Sequence, residues 1–359
     1  MGIELLEELL AIYSPSHEEQ QATAYLVGAM RQLGYAALVD AAGNAVGTRG
    51  DGPDELLLLG HIDTVPGFIP VRREGDLLYG RGAVDAKGPL ACFVEAGASF
   101  QPPPGWRITV IGAVGEESES HGALYVRDHY RPQALIIGEP SKWDRITLGF
   151  KGSLWVDYRV QHSVTHTASG QASACEAAVS FWNAVKAWCD SVSVEGRPAF
   201  YRLTPSLRSM RSDSDGFLDN AGLRINFRLP PAITLEEISA RLQELKGNGE
   251  LQFGEPIPAF KANKNSALVR SFLSAIRRAG GSPVFSLKTG TSDMNLVAPA
   301  WGCQAVAYGP GESSLDHTPN EHVSISEYQK SVEILSNTIS SIFLRGAFQF
   351  PGEELANEG

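Results

Sequence analysis

Glu55-Leu56-Leu57-Leu58-Leu59-Gly60-His61-Ile62-Asp63-Thr64-Val65-Pro66 decides how the rest of the chain is read. The leucine run is short, continuous and apolar, the signature of a strand buried on both faces at the centre of an α/β sheet. Polar residues begin where it ends. Loops beyond the carboxyl ends of parallel strands are where such sheets gather their chemistry. His61 and Asp63, projecting from the end of the strand and released by Pro66, therefore suit a metal ligand and its orienting partner. Alone, an H-x-D at a strand end is more often a satisfied histidine than a ligand.

Working outward, the flanking chain alternates helix and strand. Upstream, Ile3 to Arg31 carries apolar residues at helical spacing, broken at Ser14-Pro15-Ser16. This predicts two helices, with Ser16 capping the second and Glu19 completing a capping box. Strands are expected at Ala36 to Val39 and Ala45 to Thr48. Downstream, Val71 to Tyr79 reads as a hairpin turning at Gly75-Asp76, followed by Gly80-Arg81-Gly82-Ala83-Val84-Asp85-Ala86-Lys87-Gly88 and a helix from Pro89 to Ser99. Two more apolar strands follow, Arg107 to Val114 and Ala134 to Ile137. The first runs into Gly115-Glu116-Glu117, the second into Gly138-Glu139-Pro140-Ser141.

Between Phe150 and Ala262 the pattern becomes strand, helix, strand, strand, helix, strand, the ferredoxin-like order. The strands are placed at Ser153 to Gln161, Ala199 to Leu203, Gly222 to Arg228 and Glu250 to Phe253, the helices at Ala172 to Cys189 and Leu235 to Leu245. A domain at 150–262, inserted into one formed by 1–149 and 263–359, is the expected organisation. After it come a helix from Ser266 to Ala279, strands near Pro283 to Ser286 and Gln304 to Ala307, and a last helix from Ser326 to Phe343. The acidic tail Pro351 to Gly359 is expected to fray.

With 359 residues, 43% of them hydrophobic, the chain can bury two cores. Its formal net charge of -11 argues against nucleic acid and anionic membranes as partners. No apolar run is long enough to span a bilayer, and the N-terminal residues do not read as a signal peptide, so a cytoplasmic location is expected. Cys92, Cys175, Cys189 and Cys303 lack any C-x-x-C spacing and fit reduced thiols.

The polar residues at the strand ends form a set. His61, Asp85, Glu117, Glu139 and His317 are two imidazoles and three carboxylates, which suits a pair of Zn²⁺ ions sharing one bridging carboxylate. The ions would exceed the carboxylates in charge, the condition that acidifies a shared water. Glu116 and Glu117 are neighbours on extended chain and point to opposite sides, so one of them can hold metal while the other faces substrate as a general base. A solvated acidic loop is the bland alternative for that pair.

Five motifs, Gly60 to Pro66, Gly80 to Gly88, Gly115 to Glu117, Gly138 to Ser141 and His317-Thr318-Pro319-Asn320-Glu321, together resemble the dinuclear-zinc aminoacylase and carboxypeptidase family. The resemblance covers nearly the whole chain in order. It implies an α/β catalytic domain with a mixed central sheet flanked by helices, like that of zinc peptidases, and an inserted ferredoxin-like α+β lid that also makes a homodimer. It implies that His61, Asp85 and Glu139 hold one ion and Asp85, Glu117 and His317 the other, that Glu116 is the base, and that Asp63 orients His61. The metal would be zinc, with cobalt or manganese as alternatives. A lid histidine that reaches a partner's site matches His166, although Gly170 stands where proline is usual; His162 is the competing candidate. Arg228 matches an arginine on a lid strand that binds substrate carboxylate or pairs with an acid.

Within the family, Lys288 to Asn295, Tyr308 to Glu312 and Asp316 to His322 look most like hydrolases that release lysine, and in some organisms ornithine, from a small acidic amino-group carrier protein in biosynthesis. The bond would be the isopeptide between the carrier's C-terminal glutamate and the amino acid's α-amino group. Gly290, Thr291 and Ser292 would then offer backbone donors to the substrate's α-carboxylate, with an ordinary N-cap at Ser292 as the alternative. A basic landing surface for the carrier is sought among Arg202, Arg208, Arg211, Lys142, Arg145 and Lys151. Rival readings are a deacylase of free N-acyl amino acids, a di- or tripeptidase, and a metal-binding protein without catalysis; Glu116 argues against the last.

Overall fold

The computed structural model describes residues 2–193 and 196–344, so the expected fraying of Pro351 to Gly359 lies outside them. The chain forms two compact units, one running to Gly149 and taking in Ala262–Ser286 and the chain from Leu296, the other made of Phe150–Lys261 and Leu287–Asn295. The segment Leu287–Asn295 thus clusters with the second unit, not with the flanking residues it was grouped with in the sequence.

The first unit is built on a mixed sheet. Its strands lie in the order Ala36–Val39, Ala45–Gly50, Trp106–Ala113, Asp54–His61, Ala134–Gly138, Gln304–Tyr308 and Arg145–Phe150. Asp54–His61 is central and runs parallel to both neighbours. Leu56, Leu57, Leu58 and Leu59 are buried on both faces, as their apolar run predicts. The helix Lys87–Ala98 crosses over this centre and packs against the long helix Ile325–Leu344.

A close approach explains how that helix is set. Gly60 is in register with Gly112 on one side and Gly138 on the other. A Cβ at Gly60 would lie 3.3 Å from Leu90 Cβ, one at Gly112 3.0 Å from Leu90 Cδ2, and one at Gly138 3.1 Å from both the Gly60 Cα and the Phe93 ring. The glycine row lets the helix settle low over the strand ends, and Asp85 sits two residues before its start.

The second unit carries an antiparallel sheet in the order Thr204–Ser214, Leu218–Leu229, Gly152–Ser163 and Glu250–Phe253. The helices Ala174–Val192 and Leu235–Leu245 share one core with it, made by Val156, Tyr158, Phe181, Val185, Ile225, Phe227 and Leu242 among others. The element order is the expected ferredoxin-like one. One strand is displaced: Ala199–Tyr201 is a 3₁₀ turn, and the strand follows it at Thr204–Ser214. That strand is an edge, mostly exposed and rich in serine and arginine, so it lacks the apolar alternation that marks a half-buried strand. The strand Arg145–Phe150 and the short helix His121–His129 also escaped the sequence reading.

The expected capping box at the second helix does not form. Gln20–Gln32 starts after Glu19 with no side-chain cap, because the Ser16 hydroxyl is taken by a buried acceptor elsewhere.

Candidate metal centre

Parallel register brings the polar strand ends together. His61 lies opposite Ala113, whose strand continues into Gly115-Glu116-Glu117, and Gly60 lies opposite Gly138, after which comes Glu139. The donor atoms of His61, Asp85 and Glu117 all fall within 4.8 Å of one another. His61 Nε2 is 3.1 Å from Asp85 Oδ1, while His317 Nε2 is 3.0 Å from Asp85 Oδ2 and 2.9 Å from Glu117 Oε1. Asp85 therefore has one oxygen toward each histidine, the disposition a bridging carboxylate needs. His317 holds a left-handed backbone, φ 61°, a conformation uncommon for a non-glycine residue.

Asp63 is fully buried and ties two segments together. Its Oδ1 accepts from the Glu116 amide at 3.1 Å and lies 3.4 Å from His61 Nδ1. Its Oδ2 accepts from the Glu117 amide at 3.0 Å and from the Ser16 hydroxyl at 2.7 Å. The His61 Nδ1 also lies 3.0 Å from the Asp63 carbonyl oxygen, a contact that orients the ring. Ser16 was missed as a site residue because its spacing to Glu19 reads as a helix cap; no local signal links it to a loop 47 positions away.

The electrostatics fit a cation. Burial lowers the His61 basicity, yet its hydrogen bonds to Asp63 and Asp85 and the Glu116 charge raise it well above the ordinary range. Contacts with Asp85 and Glu117 raise His317 to about 10. Burial would raise the Asp85 carboxyl, but His317 and His61 pull it well below its usual range. Burial and the neighbouring Asp85 charge raise Glu117. Divalent ions would neutralise the gathered carboxylates, and the mixed imidazole and carboxylate donors match the borderline metals. The residues present thus fit such a group.

In the second unit, Arg228 Nη1 donates to Thr291 Oγ1 at 3.1 Å. Burial and nearby Arg208 lower the guanidinium's affinity for its proton, so Arg228 sits in a positively charged setting. Ser292, expected as a donor to ligand, is buried; its amide donates to Asn295 Oδ1 and its hydroxyl accepts from the Met294 amide. Ser292 thus has its amide and hydroxyl engaged by its own neighbours, while Gly290 and Thr291 precede it on the same loop. His166 is exposed and its Nδ1 accepts from the Ala168 amide at 3.1 Å. Gly170 takes φ 68°, which proline cannot reach. His162 Nδ1 lies 2.9 Å from the Ala172 carbonyl oxygen. Two residues of the expected basic surface are engaged elsewhere: Lys151 is buried with its ammonium on Ala199, Arg202 and Thr204, and Lys142 pairs with Glu312.

An α/β unit with a histidine and carboxylates at the ends of its central parallel strands, joined by His317 from a loop, suits a metal-dependent hydrolase. The model of Peptidase family M20/M25/M40 matches residues 57–341, and the chain belongs to that family and is a hydrolase of it. It is 41% identical over 348 residues to a LysW-lysine hydrolase of Deinococcus radiodurans, covering 94% of this chain and 96% of the relative. It is 40% identical to a putative LysW-lysine/LysW-ornithine hydrolase of Thermococcus kodakarensis, covering 98% and 94%. The fold is shared with an M20 family metallo-carboxypeptidase from Sulfolobus solfataricus at a TM-score of 0.77 and 18% identity, over 95% of this chain and 99% of that one.

Proposed function

We propose that this enzyme hydrolyses the amide joining lysine, with ornithine as a second substrate, to the C-terminal glutamate of a small acidic carrier protein in lysine or arginine biosynthesis. The carrying observation is identity near 40% along almost the full length of two relatives named for that activity. In the proposed assignment His61, Asp85 and Glu139 hold one divalent ion and Asp85, Glu117 and His317 the other, zinc or cobalt. Bound there, the ions supply Lewis-acid polarisation of the scissile carbonyl and lower the pKa of the attacking water.

The chain's own residues do the rest. Glu116 removes a proton from the water as its oxygen bonds to the carbonyl carbon, then delivers that proton to the amine nitrogen as the C–N bond breaks. Asp63 fixes both His61 and the loop carrying Glu116. His166 donates to the oxyanion, and Arg228 with Gly290 and Thr291 receives the amino acid's α-carboxylate. Replacing Glu116 by Gln should lower kcat by about 10²- to 10⁴-fold with metal content unchanged; near-normal turnover would remove Glu116 from the role of base.

Arg208 and Arg211, exposed on the edge strand, are the proposed landing point for the acidic carrier. The test is a substrate panel of the carrier conjugate, N-acetyl-lysine, N-acetyl-ornithine and succinyl-diaminopimelate. The conjugate should give the highest kcat/KM, and charge reversal at Arg208 and Arg211 should raise KM for it alone. A small acyl amino acid as the best substrate would transfer the enzyme to the deacylases. A homodimer through the second unit, which the family resemblance implies, is proposed alongside. Light scattering should then give twice the 38.6 kDa chain mass. A cytoplasmic location goes with the proposed biosynthetic role; among the described residues no helix is long and apolar enough to cross a membrane.

A further inference from the structure

Glu321 lies four residues beyond His317 and is fully buried. Its Oε1 accepts from two consecutive amides, Val84 at 2.9 Å and Asp85 at 3.0 Å. Its Oε2 accepts from Arg81 Nη1 at 2.8 Å. Arg81, also buried, extends the connection: its Nε donates to the Gly67 carbonyl at 2.8 Å and its Nη1 to the Thr318 carbonyl at 3.3 Å. The Gly80 amide donates to the Glu321 carbonyl oxygen at 3.3 Å. One ion pair thus joins the loop after Asp63, the loop bearing Asp85 and the loop bearing His317.

A buried ion pair is weak evidence for a stabilising role, since an apolar pair of similar volume often holds a fold as well. The direction of the carboxylate is more informative. A carboxylate accepting the amide of Asp85 itself, while its own backbone continues from His317, fixes the two segments that must converge on one ion. We propose that Glu321 is a positioning residue for the metal centre, setting the backbone of Asp85 against that of His317 through the length of its side chain, with Arg81 neutralising its buried charge. The proposal rests on the assignment of Asp85 as shared ligand, which Asp85→Asn tests by itself.

Two variants of the full chain test the idea without leaving an unpaired buried charge. Arg81→Met with Glu321→Gln removes the ion pair but keeps an oxygen facing the Val84 and Asp85 amides. Glu321→Asp keeps the charge and draws the carboxylate back by one methylene. Affinity for Co²⁺ and Zn²⁺ is measured by competition with a chromophoric chelator, the Co²⁺ visible spectrum reports ligand geometry, and the Tm of the metal-free protein reports folding. The double variant should bind both ions within about threefold of the parent. Glu321→Asp should lose 10- to 100-fold in affinity for at least one ion, the range expected for supporting partners of metal ligands, with an altered Co²⁺ spectrum and no greater fall in Tm than the double variant. Parent-like affinity and spectrum in Glu321→Asp, or equal loss in both, overturns the proposal. Should one variant not fold, the other is judged against its own expectation. Retention of both ions by Asp85→Asn would instead overturn the ligand assignment.

Discussion

Burial raises the Glu95 carboxyl to about 7 although the Tyr328 hydroxyl donates to it at 3.1 Å. The folded chain therefore keeps a proton that the unfolded chain, with an ordinary value of 4.5, releases. The associated stability is fully present below that ordinary value and is lost as pH rises toward 7. The gap amounts to about 3 kcal/mol at most. Glu95→Gln, which keeps an acceptor for Tyr328, should flatten the dependence of Tm on pH between about 4.5 and 7 and raise Tm at pH 8. An unchanged slope across that window would place the titration elsewhere. At this scale His61, Asp85, Glu117 and His317 were legible because each lies within a short motif marked by a glycine or proline, three of them following an apolar strand. Ser16 and the contacts of Glu321 were not, because a hydroxyl or carboxylate partner dozens to hundreds of positions away leaves no local spacing to read.

The glycine row across Gly112, Gly60 and Gly138 makes the helix Lys87–Ala98 the element on which the site depends. Gly138→Ala meets backbone at the Gly60 Cα, which cannot move aside as a flexible side chain would. It should destabilise the protein by about 1 to 3 kcal/mol and lower metal affinity together with Tm, measured by thermal unfolding and chelator competition. A Tm within a degree of the parent would mean the helix can rise without consequence. Elements were legible where burial imposes periodicity: the four leucines at 56 to 59 announce their strand, and the helix Leu235–Leu245 has its predicted bounds. The Thr204–Ser214 strand was misplaced because an exposed edge has no such constraint. Arg145–Phe150 falls at the change between two units, where neither unit's pattern marks it as a strand.

At the scale of the whole molecule, the second unit draws on a distant segment. Asn295 Nδ2 donates to the carbonyls of Phe150, Lys151 and Pro258, and the Lys151 amide donates to the Lys288 carbonyl. A fragment of residues 150–261 lacks these bonds; rejoining Leu287–Asn295 through a flexible linker should raise its Tm by several degrees, as restored bonds of about 1 kcal/mol each would in a domain of this size. Equal melting of the two fragments would show the segment to be dispensable. Two units could be read from the change of pattern near Phe150, but this return could not, since a loop of lysine, threonine, glycine and serine carries no mark of the unit it joins. The consequence bears on exchange between relatives. A cassette of 150–261 moved alone between relatives would leave the bonds from Asn295 and Lys288 to be remade with a foreign downstream segment, so an exchange that carries 287–295 along keeps the unit's own contacts together.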